Sequence, residues 1–170
     1  MSESSLYLLA ELAGKSLSQH GLKVASAESC TGGGVMSALT DIPGSSGWCE
    51  GGFITYSNAA KQQLLGVPES VLDQCGAVSE ETVRAMAEGA LTRCDASVTV
   101  AVSGIAGPDG GTKTKPVGTV WIAWSGIGQQ TAAQRFLFDG DRASVRRQTV
   151  YAALDGLISW CERSGISSAS

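Results

Sequence analysis

The sequence predicts an α/β layered sandwich built on a mixed sheet. Three observations carry that prediction. Helical apolar stripes alternate with short strand-like runs along the chain, the order expected when helices cover the faces of a sheet. Two of the strand runs end in glycine-rich loops, within residues 27–34 and 103–111. Toward the C-terminus, runs at 117–124 and 131–138 flank a Gly-containing turn, as an antiparallel hairpin would, so the sheet is not purely parallel.

In order, Leu6, Leu9, Ala10, Ala13 and Leu17 fall at helical spacing, which predicts a covering helix over about residues 5–20 that stops before Gly21. Residues 22–28 read as a strand delivering Ser29 to a sheet edge, with a helix over about 33–40. Residues 41–47 (Asp-Ile-Pro-Gly-Ser-Ser-Gly) form a turn-rich loop before a strand within 48–56, whose most strand-like run is 52–56. Ser57 and Asn58 then cap a helix carrying Lys61, Leu64 and Leu65. Val67-Pro68 opens a short helical piece ending near Cys75-Gly76, and Ser79 is the N-cap of the next helix, with Glu80 and Glu81 in its first turn. Val83, Met86, Ala87, Ala90, Leu91 and Cys94 continue its apolar stripe. Residues 97–102 are a β-branched strand run. After the hairpin, a last helix starts near Asp141 with Val145, Thr149, Ala152, Ala153, Gly156, Leu157 and Trp160 on one face.

The length of 170 residues fits one domain spanning 1–170, without a linker, internal repeat or low-complexity segment. A formal charge of −4 argues against nucleic acid or a membrane surface as partner, because a basic face supplies most of such affinity. No apolar run is long enough for a bilayer, and Met-Ser-Glu-Ser-Ser at the start lacks the basic region of a signal peptide, so the cytoplasm is expected. The five cysteines, Cys30, Cys49, Cys75, Cys94 and Cys161, contain no C-x-x-C pair. Structural zinc and a disulfide framework are therefore not expected, and most of these thiols should behave as small buried hydrophobes.

The stretch Ala27-Glu28-Ser29-Cys30-Thr31-Gly32-Gly33-Gly34 presents a strand-to-helix turn whose free N–H groups and positive helix end suit a phosphate or carboxylate. It is equally read as a tight connection in which glycine supplies only backbone freedom. Ligands of open α/β sheets gather beyond the carboxyl ends of strands, where both glycine-rich loops lie. For hydrolysis the chain has a single histidine, His20, at the expected end of the first helix. A lysine is the alternative base, and Lys61 stands in the first turn of a helix that follows directly on a strand ending at Tyr56. At its reference pKa a lysine is neutral in only about one molecule in 2,500 at pH 7, so burial must lower the value at about 1.4 kcal/mol per unit. Ser29 and Ser46 compete for the nucleophile, and spacing does not choose between them. Lys115, Thr31, the Gly32-Gly33 amides and the cluster Arg142, Arg146 and Arg147 suit an anionic substrate.

Taken together, Ala27-Glu28-Ser29-Cys30-Thr31-Gly32-Gly33, Pro43-Gly44-Ser45-Ser46, Thr55-Tyr56-Ser57-Asn58-Ala59-Ala60-Lys61, Gly76-Ala77-Val78-Ser79, the loop at 103–111, Lys115-Pro116-Val117-Gly118-Thr119-Val120 and Phe138-Asp139-Gly140-Asp141-Arg142 closely resemble the CinA C-terminal domain family. The match runs in order through nearly the whole chain. The resemblance implies a three-layer α/β/α sandwich and a nicotinamide-nucleotide amidase, which converts nicotinamide mononucleotide to nicotinate mononucleotide and ammonia in the pyridine nucleotide cycle. It further implies a Ser-Lys mechanism with an assisting tyrosine, placing the nucleophile on Ser46, the base on Lys61 and the assistant on Tyr56, with Ser29 and Thr31 in the substrate pocket. Gly32, Gly33, Gly104, Ile105, Ala106, Gly107, Lys115 and Arg142 complete the expected substrate contacts. No metal or other cofactor is expected. A homodimer is, and Trp48, Trp121, Trp124 and Trp160 are aromatics with which a dimer surface could be built. The competing readings are a non-catalytic nucleotide-binding or protein-interaction module linked to competence or DNA damage, and a hydrolase of another small amide.

Overall fold

The structure is a computed structural model that describes residues 3–167, apart from the side chains of 164–167. In chain order its elements are α1 (Glu3–Gln19), β1 (Val24–Glu28), α2 (Gly34–Thr40), a 3-10 turn (Ser45–Gly47), β2 (Cys49–Ile54), α3 (Asn58–Leu65), α4 (Glu69–Cys75), α5 (Glu80–Leu91), β3 (Val98–Gly104), β4 (Thr119–Gly126), β5 (Ala132–Leu137) and α6 (Arg142–Ser167). The sheet order is β2-β1-β3-β4-β5. β1 runs parallel to both β2 and β3, while β4 is antiparallel to β3 and to β5. The sheet is mixed, as predicted.

Period-two alternation along the strands sorts the side chains into two cores. Val98, Val100 and Val102 of β3, with Val120, Ile122 and Trp124 of β4, face α1, α2 and α6. Ala27, Ala101 and Ala123 face the other way, against Leu65, Leu72, Val83, Met86 and Ala90 of α3, α4 and α5. The result is three layers, α/β/α. From β1 the chain leaves through α2 toward β2 on one side, and it returns through α3–α5 to β3 on the other. The connections diverge at β1, and a crevice opens beyond the carboxyl ends of β1 and β3.

The helix starts follow the sequence, with Ser57 and Ser79 as the expected caps and Asp141 capping the helix expected to start near it. The Ser57 hydroxyl accepts from the Ala60 amide, the Ser79 hydroxyl from Thr82, and the Asp141 carboxylate from Ser144. α1 ends ahead of Gly21, which has φ +63°. Two of the boundaries that differ from expectation bear on the site and on the core. β2 stops at Ile54: the Thr55 amide makes a last 2.8 Å bond to the Glu28 carbonyl, and there β1 runs out. α5 stops at Leu91, where Thr92 caps it, so Cys94 lies outside the stripe it was expected to extend.

Two expectations about side chains are corrected. Trp124 and Trp160 are core residues, each 4% exposed, with the Trp124 indole donating to the Ala153 carbonyl at 3.0 Å. They are unavailable to a dimer surface because the hairpin and α6 close on one another through Gly126 and Gly156, where a Cβ would overlap Trp160 and Trp124 respectively. Of the five free thiols only Cys30 and Cys161 are buried, and Cys49, Cys75 and Cys94 are half-buried. Among the described residues no helix is long and apolar enough to cross a membrane.

Candidate active site

The crevice beyond β1 holds the chemistry. Ser29 follows β1 directly and is pinned there by its amide, which donates to the Val102 carbonyl of β3 at 3.1 Å. Lys61 belongs to the opening turn of α3, and its aliphatic stem runs inward, leaving the residue 1% exposed. Its Nζ lies 3.1 Å from Ser29 Oγ, 2.8 Å from the Thr55 carbonyl and 3.2 Å from the Tyr56 carbonyl. These carbonyls belong to the link between β2 and α3, so the premature end of β2 creates the amine's socket. No carboxylate forms an ion pair with Lys61 among the described residues. Burial pushes its pKa below the ordinary 10.5, and only the nearby Cys30 thiol acts in the opposite direction.

This arrangement determines what a neutral Lys61 would do. A neutral amine has two N–H donors and one lone pair. The two backbone carbonyls accept both hydrogens, which leaves the lone pair for the Ser29 hydroxyl. That is the geometry of a base poised to deprotonate a nucleophile. Cys30 stands beside the pair as a buried thiol whose pKa is pushed up to about 11, chiefly by burial, so it stays protonated at neutral pH.

Ser46 is elsewhere. It sits exposed in the 3-10 turn that leads into β2, and the following Trp48 carbonyl accepts from Val24 at the start of β1. Ser46 and Ser29 therefore occupy opposite ends of the sheet, separated by five residues of β1 at about 3.3 Å each. The structure does not bring Ser46 to Lys61. Within one chain the separation is topological, since parallel β1 and β2 put everything before β2 at the far edge.

The glycine-rich turn is also not the open anion cradle that its sequence suggests. Glu28, 1% exposed, folds its carboxylate into the turn from within. Oε2 accepts from Thr31 Oγ1 at 2.6 Å and from the Gly33 and Val35 amides at 3.0 Å each. Oε1 accepts from Ser26 Oγ at 2.9 Å and the Met36 amide at 3.0 Å. The Thr31 hydroxyl and the Gly33 amide, both expected to meet substrate, are thus already engaged. The signal for Glu28 in the sequence is a carboxylate closing an apolar strand one residue before the turn.

Other expected contacts separate into two groups. Arg142, at the start of α6, donates to the Gly107 carbonyl at 3.0 Å and to the Tyr56 hydroxyl at 3.4 Å, joining three of the anticipated residues at the crevice rim. One turn later Arg146, read from sequence with Arg142 and Arg147 as suited to an anion, donates to the Thr31 carbonyl at 2.9 Å and lies beside Gly32. Ile105 instead pairs through its amide and carbonyl with Thr119 and Gly118, while Gly104 ends β3 opposite Val120 and Ala106 is buried at 4% exposure. These three build the loop wall. Lys115 is drawn to the Cys75 carbonyl at 2.8 Å, in a separate groove with Ser79, Glu80, Glu81 and Trp121. His20 is exposed at the end of α1, its ring nitrogen bonded to the Ser16 carbonyl.

The profile of the CinA C-terminal domain family matches residues 7–161. The chain is 57% identical over 150 residues to a protein of Pseudomonas putida named nicotinamide-nucleotide amidohydrolase PncC, covering 88% of this chain and 93% of that one. It is 52% identical over 157 residues to the protein of the same name from Escherichia coli K12, covering 92% and 95%. Among solved structures, the competence/damage inducible protein CihA of Agrobacterium tumefaciens superposes with a TM-score of 0.90 at 42% identity, over 94% of this chain and 98% of the other. By profile, identity and fold, this chain belongs to the CinA C-terminal domain family.

Proposed function

We propose that the chain is a nicotinamide-nucleotide amidase, hydrolysing the carboxamide of nicotinamide mononucleotide to nicotinate mononucleotide and ammonia, with Ser29 as nucleophile and Lys61 as base. The single observation that carries the mechanism is the 3.1 Å contact between Lys61 Nζ and Ser29 Oγ in a site that excludes water from the amine. The amidohydrolase names of relatives at 52–57% identity support the substrate.

Neutral Lys61 takes the Ser29 proton as Oγ attacks the carboxamide carbon. The Cys30 and Thr31 amides, which follow the nucleophile in the turn and make no backbone bond of their own, hold the oxyanion. Protonated Lys61 returns its proton to the departing nitrogen, and ammonia leaves an acyl-enzyme. Water then attacks that ester with Lys61 again as base, releasing the carboxylate and restoring Ser29. Tyr56, its hydroxyl tethered by Arg142, assists at the rim. The phosphate lies against Arg142 and Arg146, one helical turn apart at the start of α6 and bonded to the Gly107 and Thr31 carbonyls, because the amides of the glycine turn are occupied by Glu28. The working form is a cytoplasmic homodimer, for which Ile54, Tyr56 and Leu64, 46–64% exposed at the end of edge strand β2, in the link after it and in the last turn of α3, supply an apolar rim.

Incubation of purified protein with nicotinamide mononucleotide, nicotinamide riboside and nicotinamide, following ammonia, tests this reading. Release from the mononucleotide at a rate well above the other two is expected. Equal rates on all three would remove phosphate recognition, and no ammonia from any would leave a nucleotide-binding module.

A further inference from the structure

Glu28 is the most heavily engaged side chain near the crevice, yet the mechanism above assigns it no step. Its five partners are all donors: three backbone amides and two hydroxyls. A backbone amide cannot reverse its polarity, and each carboxylate oxygen faces at least one. Both oxygens therefore accept, Oε2 from the Gly33 and Val35 amides and Oε1 from the Met36 amide, a role a carboxyl group's two oxygens fill and an amide's single oxygen does not. An amide in place of the acid would set its NH2 against a backbone N–H in either orientation. The residue is also chained directly to Ser29, whose own amide is tied to β3. The turn is thus clamped at both ends, by Val102 on the nucleophile's amide and by the carboxylate across residues 31–36. Between those clamps lie the Ser29 hydroxyl and the Cys30 and Thr31 amides.

We infer that Glu28 is a positioning residue: its carboxylate holds the turn so that the Ser29 hydroxyl meets Lys61 and the following amides converge on the oxyanion. This rests on the amidase reading. It also explains how a turn rich in free amides avoids capturing the substrate's phosphate, since an internal anion already fills it. Misplacement of a reacting group by about 1 Å costs on the order of 100-fold in rate, and loosening this clamp acts through that term and not through binding.

The test uses the full chain. For Glu28→Gln, kcat on nicotinamide mononucleotide should fall about 100-fold with KM within about threefold of wild type and an unchanged circular dichroism spectrum. Thr31→Val removes one donor and keeps the carboxylate; kcat should fall about five- to tenfold at unchanged KM. Phosphonylation of Ser29 by a fluorophosphonate probe, a substrate-free readout of the same alignment, should slow in parallel. A folded Glu28→Gln variant with wild-type kcat and labelling overturns the inference, and so does a raised KM at unchanged kcat. If Glu28→Gln does not fold, Thr31→Val decides, and unchanged kcat or labelling overturns the inference. Wild-type protein that is labelled but releases no ammonia sinks the amidase reading alone, and wild-type protein that does neither sinks both.

Discussion

Replacing Lys61 by methionine separates a catalytic amine from a structural one. Methionine fills a similar volume, so no cavity opens. Two stability effects then oppose each other. Removing the amine relieves the desolvation that pushes its pKa down, worth about 1.4 kcal/mol per unit of depression. Against this, the Thr55 carbonyl, in a residue that is 0% exposed, loses its 2.8 Å donor, a loss of about 1–3 kcal/mol. The two are of similar size, and for a chain of this length 1 kcal/mol moves Tm by about 2–4 °C. Tm at pH 7 should therefore shift by only a few degrees, while kcat falls at least about 1,000-fold because the dyad has lost its base. The pH dependence has a definite sign. Because the folded pKa lies below the unfolded one, the wild-type fold has this contribution in full above pH 10.5. It loses stability as pH falls from there to the folded pKa, and is flat below it. Lys61→Met removes that slope. In the wild type, kcat/KM should rise with pH through the same folded pKa, as the neutral base accumulates. Calorimetry and ammonia release across pH measure both. A variant that keeps more than about a tenth of wild-type kcat, or one that loses more than about 10 °C in Tm, would refute the assignment of Lys61 as a base.

Three further outcomes follow from the same geometry. Ser29→Ala should lower kcat at least about 1,000-fold while Ser46→Ala stays within about threefold, since only Ser29 contacts the amine; steady-state kinetics of the two variants decide it. Arg142→Ala and Arg146→Ala should each raise KM for nicotinamide mononucleotide about 10-fold or more, the value of a charge-assisted bond; Arg142→Ala should also slow nicotinamide riboside, because it frees the Tyr56 hydroxyl. Gly156→Ala pits a helix-propensity gain of about 1 kcal/mol against overlap of the new Cβ with the Trp124 ring. Overpacking of a rigid indole is the larger effect at about 1–3 kcal/mol, so a net loss of up to about 2 kcal/mol should lower Tm by up to about 8 °C in a thermal melt.

Much of the fold was legible because local rules and tertiary structure agree. The Ser57, Ser79 and Asp141 caps and the Gly21 stop act within one helical turn, and the buried stripes of α1 and α5 follow from period alone. Lys61 was legible as the proposed base by elimination, since His20 is the chain's only histidine. The proposed nucleophile was not. Ser29 and Ser46 sit in equally turn-rich stretches, and only the parallel pairing of β1 with β2 puts one beside the amine and the other at the far edge. Glu28 was invisible for a related reason: nothing local says that donors from five residues would converge on it.

The sequence alone determined the layered α/β architecture, the histidine-free chemistry and the family, because hydrophobic period, capping residues and ordered motifs are properties of neighbours along the chain. Tertiary structure alone decided that Ser29 faces Lys61, that the glycine turn is closed by an internal carboxylate, that Lys115 turns away and that Arg146 comes in. These depend on contacts between residues tens of positions apart, as in the 32-residue separation of Ser29 from Lys61, and strand order and register set such contacts where local preference cannot.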